Sequence, residues 1–135
     1  MDRAERADML HREGYNCCQA VACVFAEDVG MDMATMYKVA EGFGGGMGTA
    51  KGVCGAVSGA AIVAGLLYSD GNYEDAGNTK AKTTKAAGTV QRKFVEEAKG
   101  LICKDIKTGN NGGPFTSCTD CIKIAVRAAE EVFGL

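Results

Sequence analysis

The chain has no tryptophan, one proline (Pro114) and one histidine (His11) in 135 residues, and aromatic residues make up only 7%. With so little proline, few positions force a helix to stop. A lone histidine excludes sites built on a histidine pair, and a Cys–His nucleophile would rest on His11 alone. His11 falls in a polar, charged segment, where a solvated side chain is the expected state. Charge of one sign is also lacking: 15 Lys and Arg face 17 Asp and Glu, for a net charge of −2. Bulk charge therefore gives no footprint for nucleic acid or for an anionic membrane surface. The N-terminus, Met1-Asp2-Arg3-Ala4-Glu5-Arg6, is charged and has no apolar core of the secretory kind, which reads as a cytoplasmic protein. No run alternates apolar and polar residues for long enough to read as a strand, and there is no internal repeat.

The longest stretch without charge, Gly52 to Ser69, raises the question of a membrane span. It carries Gly55-x-x-x-Gly59, a spacing that lets helices approach closely. Most of it is Gly, Ala and Ser, however, with Val53, Val57, Ile62, Val63, Leu66, Leu67 and Tyr68 as its only large apolar residues. A buried Gly/Ala-rich helix inside a globular domain accounts for it better, without membrane insertion.

Glycine (19 residues) and cysteine (seven) are plentiful. A chain of this length reads as one domain, residues 1–135, able to bury roughly 68% of its unfolded surface without covalent staples. The helix signals run along its whole length. Asp2 caps a first helix over 2–13, which Gly14 breaks. Asn16 caps a second, about 17–28, with Cys17, Ala20, Val21, Val24 and Phe25 at i, i+3, i+4, i+7 and i+8. Asp32 caps a third over 33–41, with Met33, Met36, Tyr37 and Ala40 on one side. The glycine loop Gly42–Gly48 leads to a fourth from about Val53 to Tyr68. Ser69-Asp70-Gly71-Asn72 is a turn. A fifth spans about 74–99, with its lysines between Lys80 and Lys93 forming a solvated face. Thr108 to Phe115 is a loop, and Ser117-x-x-Asp120 opens a last helix at about 118–133. The fold class is all-α, a compact multi-helix bundle.

The cysteines fall at helix starts. Cys17 and Cys118 occupy first helical positions, Cys54 the first turn of the fourth helix, and Cys121 lies one turn beyond Cys118. Unpaired N–H groups and the positive end of the helix dipole stabilise a thiolate at such places. Helical spacing turns these thiols inward, and Cys103, just past the fifth helix, can join them from a loop. Free cysteine is more often an inert core residue, and that is the expectation for Cys18 and Cys23. In a reducing compartment the remainder would be catalytic thiols or metal ligands before they would be permanent disulfides.

Three segments carry a family resemblance. Gly14-Tyr15-Asn16-Cys17-Cys18-Gln19-Ala20-Val21, then Gly42-Phe43-Gly44-Gly45-Gly46-Met47-Gly48, then Gly52-Val53-Cys54-Gly55-Ala56-Val57-Ser58-Gly59 resemble the C_GCAxxG_C_C family. Phe94-Val95 with Leu101 to Ile106 resembles its third cysteine segment, and the last helix its fourth, so the likeness covers nearly the whole chain. The resemblance implies a small helical protein with four recurrent cysteines, at Cys17, Cys54, Cys103 and Cys121, with Cys118 able to take the fourth place. It implies redox activity and names no substrate. Cys18 beside Cys17, and the Cys118-x-x-Cys121 pair, depart from the pattern.

Three functions compete. The first is thiol–disulfide redox chemistry with an unidentified redox partner, Cys54 being the reactive thiol and Cys17, Cys103 or Cys121 its partner. The CxxC spacing of Cys118 and Cys121 fits, although the βαβ context of thioredoxin-like sites is missing. The second is an iron–sulfur cluster or Zn²⁺ held by Cys17, Cys54, Cys103, Cys118 and Cys121, although only one close ligand pair is present. The third is an interaction module without chemistry, packing through Gly55, Gly59 and Gly65. A c-type haem is excluded because Ile122, not His, follows Cys121. The glycine run matches no dinucleotide fingerprint, and Lys51-Gly52 is in the wrong order for a phosphate loop, although its N–H groups could form an anion nest.

Overall fold

The structure, a computed structural model, describes residues 1–109 and 115–135. Seven α-helices follow one another among the described residues: α1 (Arg3–Arg12), α2 (Cys17–Val24), α3 (Met33–Glu41), α4 (Gly55–Tyr68), α5 (Lys80–Ala98), α6 (Cys103–Thr108) and α7 (Cys118–Phe133). The fold is all-α, as the patterning requires.

Side chains fix four of the starts. Asp2 accepts the N–H of Glu5, Asp32 that of Thr35 and Ser117 that of Asp120. Asn16 and Gln19 form a reciprocal capping box, each side chain bonded to the other's N–H at 2.9 Å.

α4 is the centre, packed against α2, α5 and α7. Its buried face is Gly55, Ala56, Val57, Gly59, Ala60, Val63 and Ala64. At Gly59 a Cβ would lie 2.8 Å from the Cys18 carbonyl oxygen and 3.0 Å from Val21 Cβ. Glycine is what lets α2 and α4 touch backbone to backbone. Phe25, Val63, Phe94, Ile122 and Val126 fill the core around this contact. α1 closes one side against α2 and α7, with Arg3 paired to Asp28 and Glu130 and lying over the Phe25 ring. Among the described residues no helix is long and apolar enough to cross a membrane. α4, at 14 residues, is about 21 Å long, short of the ~30 Å hydrocarbon core.

The structure corrects several boundaries. α2 ends at Val24, not near 28: Phe25 and Ala26 bond three residues back, to Ala22 and Cys23, and the chain winds in tight turns to Gly30 at φ 69°. Burial of Phe25 against Phe133 overrides the helical pattern there. α3 buries Met36 and Ala40 but leaves Met33 exposed. α5 starts at Lys80, not 74. Before it come a 3₁₀ turn at Tyr73–Asp75, Gly77 at φ 90°, and a hydrogen bond of 2.8 Å from the Asn78 amide to Asp70. Cys103 opens the unforeseen helix α6 instead of lying in a loop. Part of the loop expected at 108–115, namely 110–114, lies outside the described residues.

A small antiparallel bridge between Val53 and Ile102 positions the site. The N–H of Cys54 bonds the Leu101 carbonyl at 2.8 Å, and the N–H of Cys103 bonds the Gly52 carbonyl at 3.0 Å. These two bonds tie the start of α4 to the start of α6, although about fifty residues separate them in the chain.

Candidate functional site

Four helices begin around one pocket, and each brings a cysteine at or beside its first residue. Cys17 is the first residue of α2, Cys103 of α6 and Cys118 of α7, while Cys54 is the N-cap of α4. Cys121 adds a fifth thiol from the first turn of α7. All five line a cavity of about 170 Å³ together with His11, Asn16, Gly45, Ile106, Lys107 and Thr116. At about 30 Å³ per water this holds some five water-sized volumes. Cys54, Cys103 and Cys121 are buried, Cys17 is half-buried and Cys118 is exposed.

Glycines make the room. The position a Gly55 side chain would take is occupied by the Cys17 sulfur, so the residue after Cys54 must be glycine for both thiols to enter the pocket. At Gly46, in the left-handed region at φ 62°, a Cβ would sit 2.7 Å from Cys103 Cβ. Asn16 holds the opposite wall: while its oxygen caps α2, its amide donates to the Glu41 carbonyl at 2.9 Å, tying α2 to the end of α3.

The thiols titrate differently, and the causes are local. Cys54 is pulled down to about 7. The largest cause is a hydrogen bond from the Cys121 thiol; the N–H groups of Ala56 and Val57 and the charge of Lys107 act in the same direction, against the effect of burial. Cys121, which supplies that proton, is driven strongly upward. The two therefore behave as one unit that gives up a first proton easily and a second with difficulty. Burial raises Cys17 despite an N–H from Gly45. Burial raises Cys103 too, opposed by Lys107, whose own ammonium is stabilised first by Cys103 and then by Cys118.

Each of the proposed site residues Cys17, Cys54, Cys103, Cys118 and Cys121 thus reaches the same cavity. Cys54 is the N-cap of α4, not a member of its first turn: the bridge that bonds its N–H to Leu101 leaves its backbone non-helical, at φ −48° and ψ 128°. Cys18 and Cys23 face away, into a second cluster with Ala22, Ala26, Met36 and Ala40. Sequence reasoning missed His11 and Lys107. His11 was assigned to solvent, yet the last turn of α1 carries it to the pocket wall, and no signal local to it in the sequence pointed there. Lys107 was invisible without α6. The described residues contain no group of three or more His, Cys, Asp or Glu side chains disposed to hold a metal ion.

No curated protein and no solved structure matches the chain. The model of one family, described as "Putative redox-active protein (C_GCAxxG_C_C)", matches residues 15–132. The two segments on which the pocket depends, Cys17 at the start of α2 and Cys54-Gly55-Ala56-Val57-Ser58-Gly59 at the start of α4, lie inside that match, and the chain belongs to this family.

Proposed function

We propose that the protein is a dithiol redox protein in which Cys54 is the nucleophile and Cys121 the thiol that resolves it. The observation that carries this reading is that Cys54, the N-cap of α4, and Cys121, in the first turn of α7, line one buried cavity, with the lowered Cys54 thiol in support. One member of the pair is held as thiolate near neutrality and the other retains its proton, the division of labour that thiol–disulfide exchange needs.

The Cys54 thiolate attacks one sulfur of a small acceptor disulfide that enters the cavity. A mixed disulfide forms and one thiolate leaves. Cys121 then loses its proton and attacks Cys54, forming the Cys54–Cys121 bond and expelling the second thiolate. The dithiol gives up two electrons and two protons, and the acceptor becomes two thiols. The proton that Cys121 loses goes to the thiolate first expelled, and His11 lines the same cavity. Cys17 and Cys103 narrow the pocket around the pair.

The test is to oxidise the protein with diamide, block residual thiols and map the peptides. The expected product is a Cys54–Cys121 disulfide, with Cys54 alkylating half-maximally near pH 7 in the reduced protein. All thiols titrating near the ~8.5 of free cysteine, with no such bond formed, would overturn the reading. An iron–sulfur cluster or Zn²⁺ would draw on the same sulfurs, and metal analysis after anaerobic purification separates the two. As a non-catalytic interaction module, the protein would lose only stability when these cysteines became serine.

A further inference from the structure

The proposed Cys54–Cys121 pair is buried, with the two residues 6% and 3% exposed. Once oxidised it must be reduced again, and a bulky donor cannot touch either sulfur. Cys118 is different. It is exposed, it opens α7 three residues before Cys121, and it lines the same cavity. Its charge is felt by Cys17, Cys103, Lys107 and Cys121 alike.

Resting on the dithiol reading above, we propose that Cys118 is the exchange thiol through which a dithiol donor re-reduces the protein. The Cys118 thiolate attacks the Cys121 sulfur of the Cys54–Cys121 disulfide. The Cys118–Cys121 bond forms, the Cys54–Cys121 bond breaks, and Cys54 leaves as thiolate. No net electrons move, and the Cys118 proton goes to solvent. The donor dithiol then attacks the exposed Cys118 sulfur of that bond, expelling the Cys121 thiolate, and its second thiol resolves the mixed disulfide and releases Cys118. Donor sulfurs become a disulfide, and Cys118 and Cys121 recover two electrons and two protons.

Two features set the direction. Attack on Cys121 expels Cys54, which retains the N–H donors of Ala56 and Val57 and the Lys107 charge when it leaves; attack on Cys54 would expel Cys121, which has no such support. A lower-pKa thiol leaves faster. Residues three apart on a helix have Cβ atoms about 5–6 Å apart, whereas a disulfide needs about 3.8 Å, so the first turn of α7 must tighten. At the first helical position the Cys118 N–H has no intrahelical bond to lose. Cys17, the other thiol with some exposure, is walled in against Gly55.

The experiment uses the full chain. Wild type, Cys118→Ser and, as control, Cys23→Ser are oxidised with diamide, and the Cys54–Cys121 bond is verified by mapping. Reduction by dithiothreitol is then followed by quenching with a maleimide. Loss of an intramolecular thiol at an effective concentration in the millimolar range should slow Cys118→Ser by roughly tenfold or more, with Cys23→Ser at the wild-type rate. Independently, oxidised Cys54→Ser should hold a Cys118–Cys121 bond, visible because cleavage before Asp120 leaves two peptides joined by sulfur. Wild-type kinetics in Cys118→Ser, or no such link in Cys54→Ser, overturns the relay and leaves the dithiol pair standing. If wild type never forms the Cys54–Cys121 bond, the dithiol reading falls and the relay falls with it.

Discussion

Cys54 and Cys18 are both hidden from solvent, 6% and 0% exposed, yet their thiols shift in opposite directions. Burial pushes Cys18 up to about 12, with repulsion from other cysteines added, and burial alone pushes Cys23 to about 11. Cys54 comes down to about 7. Burial is common to both; what differs is what meets the sulfur. Cys18 is the second residue of α2, but no N–H, thiol donor or cation meets its sulfur, which packs against Met36 and Ala40. Cys54 sits before the first turn of α4, where two N–H groups remain free for it, with a thiol donor and a lysine nearby. The donors that reach the sulfur, not depth and not a helix start alone, decide whether a cysteine here is a reagent or a filler: Cys17 and Cys103 open helices and burial still raises them.

The largest expected effect is a contrast in reactivity. At pH 7 roughly half of Cys54 is thiolate against about 10⁻⁵ of Cys18. Weaker nucleophilicity at lower pKa takes back about two of those nearly five decades, leaving a rate ratio of roughly 10²–10³. Iodoacetamide at pH 7 with peptide mapping reads it directly. Similar rates for Cys54 and Cys18 in the folded protein would erase the distinction between the two regions.

The second effect is on stability against pH. In the unfolded chain these thiols ionise near 9.0. Between about 9 and 11 to 12 the unfolded chain has released protons that Cys23 and Cys18 still hold when folded. Their contribution is complete below pH 9 and is lost as pH rises, at up to about 1.4 kcal/mol per pH unit for each thiol. Cys54 works the other way, in the window from about 7 to 9, where its folded form has already lost the proton: its contribution is complete above 9 and lost as pH falls through 7. Urea midpoints should therefore peak near pH 9. A curve that climbs steadily from pH 9 to 11 contradicts the assignment.

Much of this contrast was legible in the sequence, because capping chemistry is local. Asn16 and Ser117 announce the helices that put Cys17 and Cys118 at first positions, and the helical pattern separated Cys17 and Cys121 from Cys23. The start of α4 was not legible to the residue. Its N-cap is a cysteine, with no side-chain cap hydrogen bond, and the position is set by the Cys54–Leu101 and Cys103–Gly52 bonds between distant segments. The same long-range bridge hides α6, and with it Lys107. Nor could local pattern bring His11 to the pocket, since that follows from α1 lying against α2 and α7. The signals within a few residues of each cysteine could be read; contacts closing over about fifty residues could not.

Glycine substitutions sharpen the comparison at smaller scale. Gly59→Ala pushes a Cβ into Cys18 O and Val21 Cβ, a clash of about 1–3 kcal/mol, partly offset by up to ~1 kcal/mol of helix propensity. It should lower the urea midpoint and leave Cys54 reactivity intact. Gly55→Ala meets the Cys17 sulfur instead, so it should cost similar stability and also change the alkylation pattern of Cys17 and Cys54. If both variants alter only stability, the pocket does not depend on the Cys17–Gly55 contact.

Lys107 supplies the smallest and most selective probe. It is exposed, on the last turn of α6, and its pull on Cys54 is weaker than that of the Cys121 thiol or the two N–H groups. Lys107→Gln should raise the alkylation midpoint of Cys54 modestly, and should raise Cys103 as well, since the lysine both bonds and attracts that sulfur. Added salt should act in the same direction in wild type, because an exposed charge is screened within about 8–10 Å at moderate ionic strength. In Lys107→Gln that salt response should largely vanish. Cys18, with no cation among the groups that perturb it, should ignore both changes. If salt moves Cys18 as much as Cys54, the lowered titration of Cys54 does not arise from charge and dipoles at the mouth of the pocket.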